Sequence, residues 1–341
     1  MIWNFHIVVE LLLGILTLLL SGYGAYIAFK IWRFDESQNS SKERENYYYL
    51  LSMIAIILLV SRSINVFYFY FVLVSLVPVI PGSMCPYGVL DASIFSSGFF
   101  DLGIKLFVPF IYCVWLLLDL INKRTKNLNL SVILSKGYSF VLFPALLVDA
   151  GLDWIYFWFS ETIQVNCCRN ILNEAGGYSP LQILGSETAF IAFLIMVFLI
   201  FGIIIFQYYQ NRRPFYSTTS LILAILAIPI VLITVQEFIA PVWIFASKSL
   251  LNQPLGEPHH CPFCLIKRWW TMIPFLLLIW LGLASVGWQV IIRQVVQKNI
   301  ESVEKAQPIL NNLRFITLFS LTGGLLILFG HIGFFLLFDL T

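Results

Sequence analysis

Eight stretches of this chain, 7–29, 48–74, 97–121, 138–159, 187–209, 218–246, 270–292 and 315–338, are apolar over a length that carries a helix across a bilayer, which takes about 20 residues. Backbone N–H and C=O groups find no water in hydrocarbon, so such stretches must close their hydrogen bonds within themselves, as α-helices. Composition agrees. Hydrophobic residues make up 60% of the chain and charged residues 11%, against about 25% charged in a soluble domain. The expected fold class is an all-α integral membrane protein with eight transmembrane helices and the lipid bilayer as its solvent. The first stretch is not expected to be a cleaved signal: no Lys or Arg precedes it, it is longer than a signal h-region, and no small-residue cleavage site follows. A net charge of +2 implies no nucleic-acid partner.

Orientation follows from the distribution of Lys and Arg. One set of loops carries Lys30, Arg33, Lys42, Arg44, Lys123, Arg124, Lys126, Lys136, Arg212, Arg213, Arg293, Lys298, Lys305 and Arg314, whereas the opposite side carries Arg169, Lys248, Lys267 and Arg268. The expected placement is a cytoplasmic (inner) membrane with the basic loops in the cytoplasm and both termini outside.

The chain also repeats itself. Cys85-Pro86-Tyr87-Gly88 and Cys261-Pro262-Phe263-Cys264 lie close to half the 341-residue chain apart, and so do Glu10 and Glu187, each a few residues into an apolar run. This points to two parallel four-helix halves, 1–176 and 177–341, related by an axis along the membrane normal. The first half carries the Cys-Pro-Tyr-Gly loop and the Cys167-Cys168 loop, the second the His259-His260-Cys261-Pro262-Phe263-Cys264 loop.

By this topology Cys85, Cys167, Cys168, Cys261 and Cys264 all fall in external loops, while Cys113 lies inside the third stretch as a small apolar filler. Pro is favoured at the first helical position, so Cys85 and Cys261 are expected at or near helix N-caps, where partial positive charge favours the thiolate. Lys267 and Arg268 add positive charge near Cys261. Two imidazoles and two thiolates within six residues suit zinc or copper, and soft thiolates favour copper. The expected metal ligands are His259, His260, Cys261 and Cys264, completed by Cys85, Cys167 and Cys168. Adjacent Cys167 and Cys168 are too close along the chain for an easy mutual disulfide, so each is expected to pair elsewhere or to bind metal. The run Cys261-Pro262-Phe263-Cys264 also resembles the Cys-Pro-aromatic-Cys active-site tetrapeptide of glutaredoxins and other thioredoxin-like enzymes. That resemblance spans four residues. It implies Cys261 and Cys264 as the catalytic pair of a membrane thiol–disulfide oxidoreductase, linked to a quinone by analogy with membrane thiol oxidases.

Ionisable groups inside apolar stretches are costly and mark functional sites. Glu10, Glu187, Asp101, Lys105, Asp153 and His331 map to the outer part of their stretches; Arg62, Asp149 and Glu237 lie nearer the middle. Asp149 and Asp153, at i and i+4, share a helix face and can co-bind a cation or face a wet cleft. Asp101 and Lys105 have the same spacing and read as a structural pair. Arg62 and Glu237 are expected to form an ion pair between halves or to contact an anionic or quinone-like ligand. With the inner third nearly free of charge, the expectation is a site near the outer face rather than a conduction path.

No Cys-x-x-Cys-His, P-loop, Gly-x-Gly-x-x-Gly or Gly-x-Ser-x-Gly run is present, so neither c-type haem nor a nucleotide cofactor is expected. The expected function is binding or handling of a soft metal at the external face, with a periplasmic metal or thiol protein as partner. The alternatives are the oxidoreductase and a non-catalytic subunit of a larger membrane complex.

Overall fold

The structure is a computed structural model. It describes residues 4–33, 41–81, 83, 86–93, 97–125, 128–159, 272–296 and 300–338, together with 191, 194–202, 204–205, 222 and 225–226. Among these there is no β-strand, and six helices are long and apolar enough to cross a membrane. They fall on six of the eight expected stretches. The other two, 187–209 and 218–246, lie largely outside the described residues, although 194–202 is helical.

The helices outrun the apolar stretches that predict them. α1 is Phe5–Arg33, α2 Ser41–Leu76, α3 the short Pro86–Asp91, and α4 Ser97–Thr125. Their charged ends continue the helix beyond the apolar run. Near the end of α1, Lys30 Nζ donates to Tyr47 Oη at 2.9 Å, and the Arg33 guanidinium lies 4.4 Å from the Phe29 ring. Long basic side chains beside aromatic rings are the usual furniture of a membrane interface.

The fourth crossing is expected to start at 138 but starts ten residues earlier, as α5 (Leu128–Gly137), a π-helical turn (Tyr138–Leu142) and α6 (Phe143–Trp158). Pro144 supplies the reason. It has no N–H to offer the carbonyl of Phe140, and its ring crowds that carbonyl. The backbone widens instead: the Phe143 N–H reaches back to Tyr138 O, five residues away, and the helix runs on without breaking.

The chain divides into two compact units, Met1–Val165 with Asn299–Lys305, and Asn166–Lys298 with Ala306–Thr341. In the first, α1 packs on α2 and α6, and α4 packs on the same two, closing a four-helix ring; α3 lies against α2 and α4, and α5 against α1 and α4. Two glycines permit close approaches. A Cβ on Gly98 would sit 2.6 Å from Leu90 O and 2.8 Å from the Tyr156 ring, and one on Gly24 would sit 2.7 Å from Cζ of Tyr138. The outer surface of this ring is apolar, with Phe5, Leu19, Phe71, Phe100 and Phe140 exposed, whereas charged residues lie inside it. That is the reverse of a soluble domain and matches a bundle bathed in lipid.

In the second unit, α7 (Met272–Val296) pairs with the part of α8 (Ile300–Phe338) beyond residue 305. Gly282 lies against Leu321 and Gly324 against Ile279. Ser285 and Thr317 hydroxyls are 2.6 Å apart, and Gln289 Nε2 donates to Thr317 Oγ1 at 3.1 Å. Small residues that let backbones close in, plus short polar contacts, are how membrane helices adhere without a hydrophobic driving force.

A buried charged site in the first unit

The four ring helices each turn acids, bases or amides inward at one level. α1 supplies Glu10 and Thr17, α2 Arg62 and Asn65, α4 Asp101 and Lys105, α6 Asp149 and Asp153, and the six charged side chains among them are at most 2% exposed. The spacings explain the convergence. Residues i and i+3 or i+4 stand one above the other on a helix face, so 62/65, 101/105 and 149/153 each present two groups to the centre.

Lys105 is the hub. Its Nζ lies 2.7 and 2.8 Å from Asp153 Oδ1 and Oδ2, 3.1 Å from Glu10 Oε1, 3.4 Å from Asn65 Oδ1, 3.6 Å from Asp149 Oδ1 and 3.7 Å from Asp101 Oδ1. It also sits 4.9 Å from the centre of the Phe69 ring. Arg62 Nη1 pairs with Asp149 Oδ2 at 2.9 Å and donates to Asn65 Oδ1 at 3.2 Å, and Nη2 donates to Thr17 Oγ1. Asn65 Nδ2 donates to Glu10 Oε1 at 2.8 Å. Thr17 is free to accept because its own proton goes to Leu13 O at 2.7 Å. Among the described residues no N–H or hydroxyl group donates a hydrogen bond to either oxygen of Asp101, although it is fully buried. Carboxylate oxygens of Asp101, Asp149 and Asp153 lie within 4.8 Å of one another, the geometry of a set that can hold a metal ion.

An aromatic layer connects this level to α3. Phe69 packs edge-on against Tyr156 and Phe157, and Tyr156 Oη donates to Val89 O of α3 at 2.8 Å. Toward the other end of the ring, polar groups continue. Ser21 Oγ and Tyr112 Oη are 3.3 Å apart, and beyond them buried Asp119 accepts from Ser52 Oγ at 3.0 Å and pairs with Lys123 at 2.8 Å. The expectation of a nearly charge-free inner third therefore misses Asp119. The signal was in the sequence: Lys105, Tyr112 and Asp119 recur every seven residues on one face of α4.

The sequence expectations meet this geometry unevenly. Asp149 and Asp153 do share a buried face, and Asp101 does face Lys105, yet Lys105's nearest carboxylate is Asp153. Arg62 has its ion pair with Asp149, inside the first unit. Asn65, Thr17 and Phe69 complete the site and were not singled out by sequence, because uncharged groups in an apolar stretch carry little signal. Cys85, Cys167, Cys168, Glu187, Glu237, His259, His260, Cys261 and Cys264 lie outside the described residues. Among the described residues Cys113 is a free cysteine, half-buried in α4.

Comparison with known protein families, with curated proteins and with solved structures finds no match.

Proposed function

We propose that this is a multi-pass protein of the cytoplasmic membrane that handles a cation, and that the buried site of its first unit takes up and releases protons in doing so. One observation carries the reading. Among the described residues, four carboxylates, Glu10, Asp101, Asp149 and Asp153, face two cations, Arg62 and Lys105, and all six side chains are buried. Ionised throughout, the cluster holds two uncompensated negative charges, and a low-dielectric interior does not sustain them. Balance requires protons or a bound cation, and either can be exchanged. A network serving only to hold helices together needs no excess acid.

The test is infrared difference spectroscopy of the reconstituted protein across about pH 3 to 9, a range that brackets the usual carboxylate and imidazole values. A buried carboxylic-acid carbonyl band that titrates, and that shifts or vanishes in Asp153→Asn, is expected. Titration confined to exposed groups, with an identical spectrum for Asp153→Asn, overturns the reading.

The cargo we propose is a soft metal, copper before zinc. His259, His260, Cys261 and Cys264 are its primary ligands, and Cys85, Cys167 and Cys168 further thiolate donors in loops on the non-cytoplasmic side. Support comes from the donor chemistry of those residues and from the basic-loop asymmetry. The same reading takes eight crossings, two parallel four-helix halves (1–176 and 177–341), both termini outside, and a periplasmic metal-carrying partner. Elemental analysis of reduced, metal-loaded protein should give stoichiometric copper; none retained removes the soft-metal cargo.

A second reading rests on the sequence: Pro262 follows Cys261 as Pro86 follows Cys85, the residue order that favours a thiolate at a helix start. On this reading Cys261 and Cys264 pass electrons to other external cysteines, with a quinone near Arg62 and Glu237 as acceptor. A mixed disulfide captured by Cys261→Ser supports it, and thiols permanently blocked by metal exclude it.

A further inference from the structure

An ammonium group has three N–H bonds to donate, yet six oxygens from all four ring helices surround Lys105 Nζ at 2.7 to 3.7 Å. It cannot give each of them a hydrogen bond of its own. Five belong to carboxylates and one to an amide, a donor set of the kind that coordinates hard cations: six to eight oxygens, carboxylates and carbonyls mixed, with tolerance for uneven distances. Among the described residues it includes no thiolate or imidazole, the donors that would select a soft metal. Independently of that count, Asp101 is fully buried and turned into the cage, its ion pair with Lys105 is long at 3.7 Å, and among the described residues neither of its oxygens accepts a hydrogen bond. A buried carboxylate so placed has coordinating capacity to spare.

We propose that the cage is a binding site for a hard divalent cation of the calcium type, and that the Lys105 ammonium is a tethered occupant with which the free cation competes. Lys105 reaches the centre from α4 and fills it with a single charge. It meets Asp153 and Glu10 closely and leaves Asp149 and Asp101 at longer range. A free cation drawn in by those two carboxylates displaces the protons that balance the cluster. One divalent ion for two protons leaves the net charge inside the ring unchanged, which is the condition for an exchange to be tolerated in lipid. The groups that face the cage are Glu10 from α1, Arg62 from α2, Asp101 from α4, and Asp149 and Asp153 from α6, with Tyr156 beyond Phe69. The inference rests on the buried site of the proposed function and is independent of the soft-metal cargo.

The experiment is calcium binding by purified full-length protein, followed by isothermal calorimetry and thermal unfolding. Lys105→Met, which keeps the chain's length and removes its charge, should bind calcium at one per chain and more than about tenfold tighter than the wild type, with a calcium-dependent rise in unfolding temperature. Asp101→Asn combined with Lys105→Met should lose that gain. A folded, monodisperse Lys105→Met that binds no calcium, or no more tightly than the wild type, overturns the proposal. Should that variant not fold, the wild type decides it: calcium added in weakly buffered medium should release protons, and should release none from Asp101→Asn. No proton release from the wild type overturns it. The infrared titration fails or succeeds separately, because it is run without divalent cations.

Discussion

At the scale of single residues, the cost of error in the buried site is large. Removing one partner of a buried ion pair leaves the other charged and unpaired, worth about 3–5 kcal/mol. Arg62→Leu removes the closer cation of Asp149 and leaves it only Lys105 at 3.6 Å, takes the donor from Thr17 and removes one of the two donors facing Asn65 Oδ1. We expect it to lower stability by about that amount, measured as the shift in unfolding midpoint in mild detergent. Asp149→Asn should cost less, because an amide oxygen still accepts from Arg62 while one excess negative charge is removed. If the two variants were equally stable, the charge imbalance at the heart of the functional proposal would be wrong. Asp119 offers an internal comparison. It is buried but has Ser52 and a half-exposed Lys123 beside it. Asp119→Asn should therefore cost only about 1 kcal/mol, the scale of an ordinary hydrogen bond.

At the scale of elements, two local devices position the site. The π turn at Tyr138–Leu142 rotates α6 relative to α5, and so sets which face of α6 carries Asp149 and Asp153 into the ring. Pro144→Ala restores the missing N–H and allows the ordinary i−4 ladder. It should shift the register of the face below it, and the expected readout is loss of the titrating carboxyl band without loss of helix content by circular dichroism. The second device is the contact of α3 with α4 and α6. Gly98→Leu would drive a side chain into Leu90 O and Tyr156, and overpacking of this kind costs about 1–3 kcal/mol. In the second unit, Thr317→Val removes the hydroxyl that meets Ser285 and Gln289. Interhelical polar contacts in membranes average about 0.6 kcal/mol, so a small destabilisation is expected.

At the scale of the whole molecule, the inverted pattern of charged interior and apolar exterior is what commits the first unit to a bilayer. The arrangement of basic loops then predicts sidedness. Single cysteines introduced at Ser40 and at Gln307, in a background lacking the native thiols, should react with impermeant maleimide only from the cytoplasmic side of intact cells. Labelling from outside would reverse the orientation, and the proposed position of the cysteine-bearing loops with it.

The amino-acid sequence alone determined that this chain is helical and made for lipid, because apolar runs of that length admit no other backbone solution in hydrocarbon. It also named every charged member of the buried site: Glu10, Arg62, Asp101, Lys105, Asp149 and Asp153 stand out wherever apolar residues surround them. It did not say that they meet. Expected partners were drawn along the chain, as for Asp101 with Lys105, or across a repeat, as for Arg62 with Glu237. Helical periodicity reports which face a residue occupies and nothing about which neighbour that face meets. Only the closing of α1, α2, α4 and α6 into a ring decided that Lys105 belongs chiefly to Asp153 and Glu10, that Arg62 belongs to Asp149, and that uncharged Asn65 and Thr17 complete the set. The packing of four helices fixes those distances, and it is there that the energetic cost of burying charge becomes a chemical site.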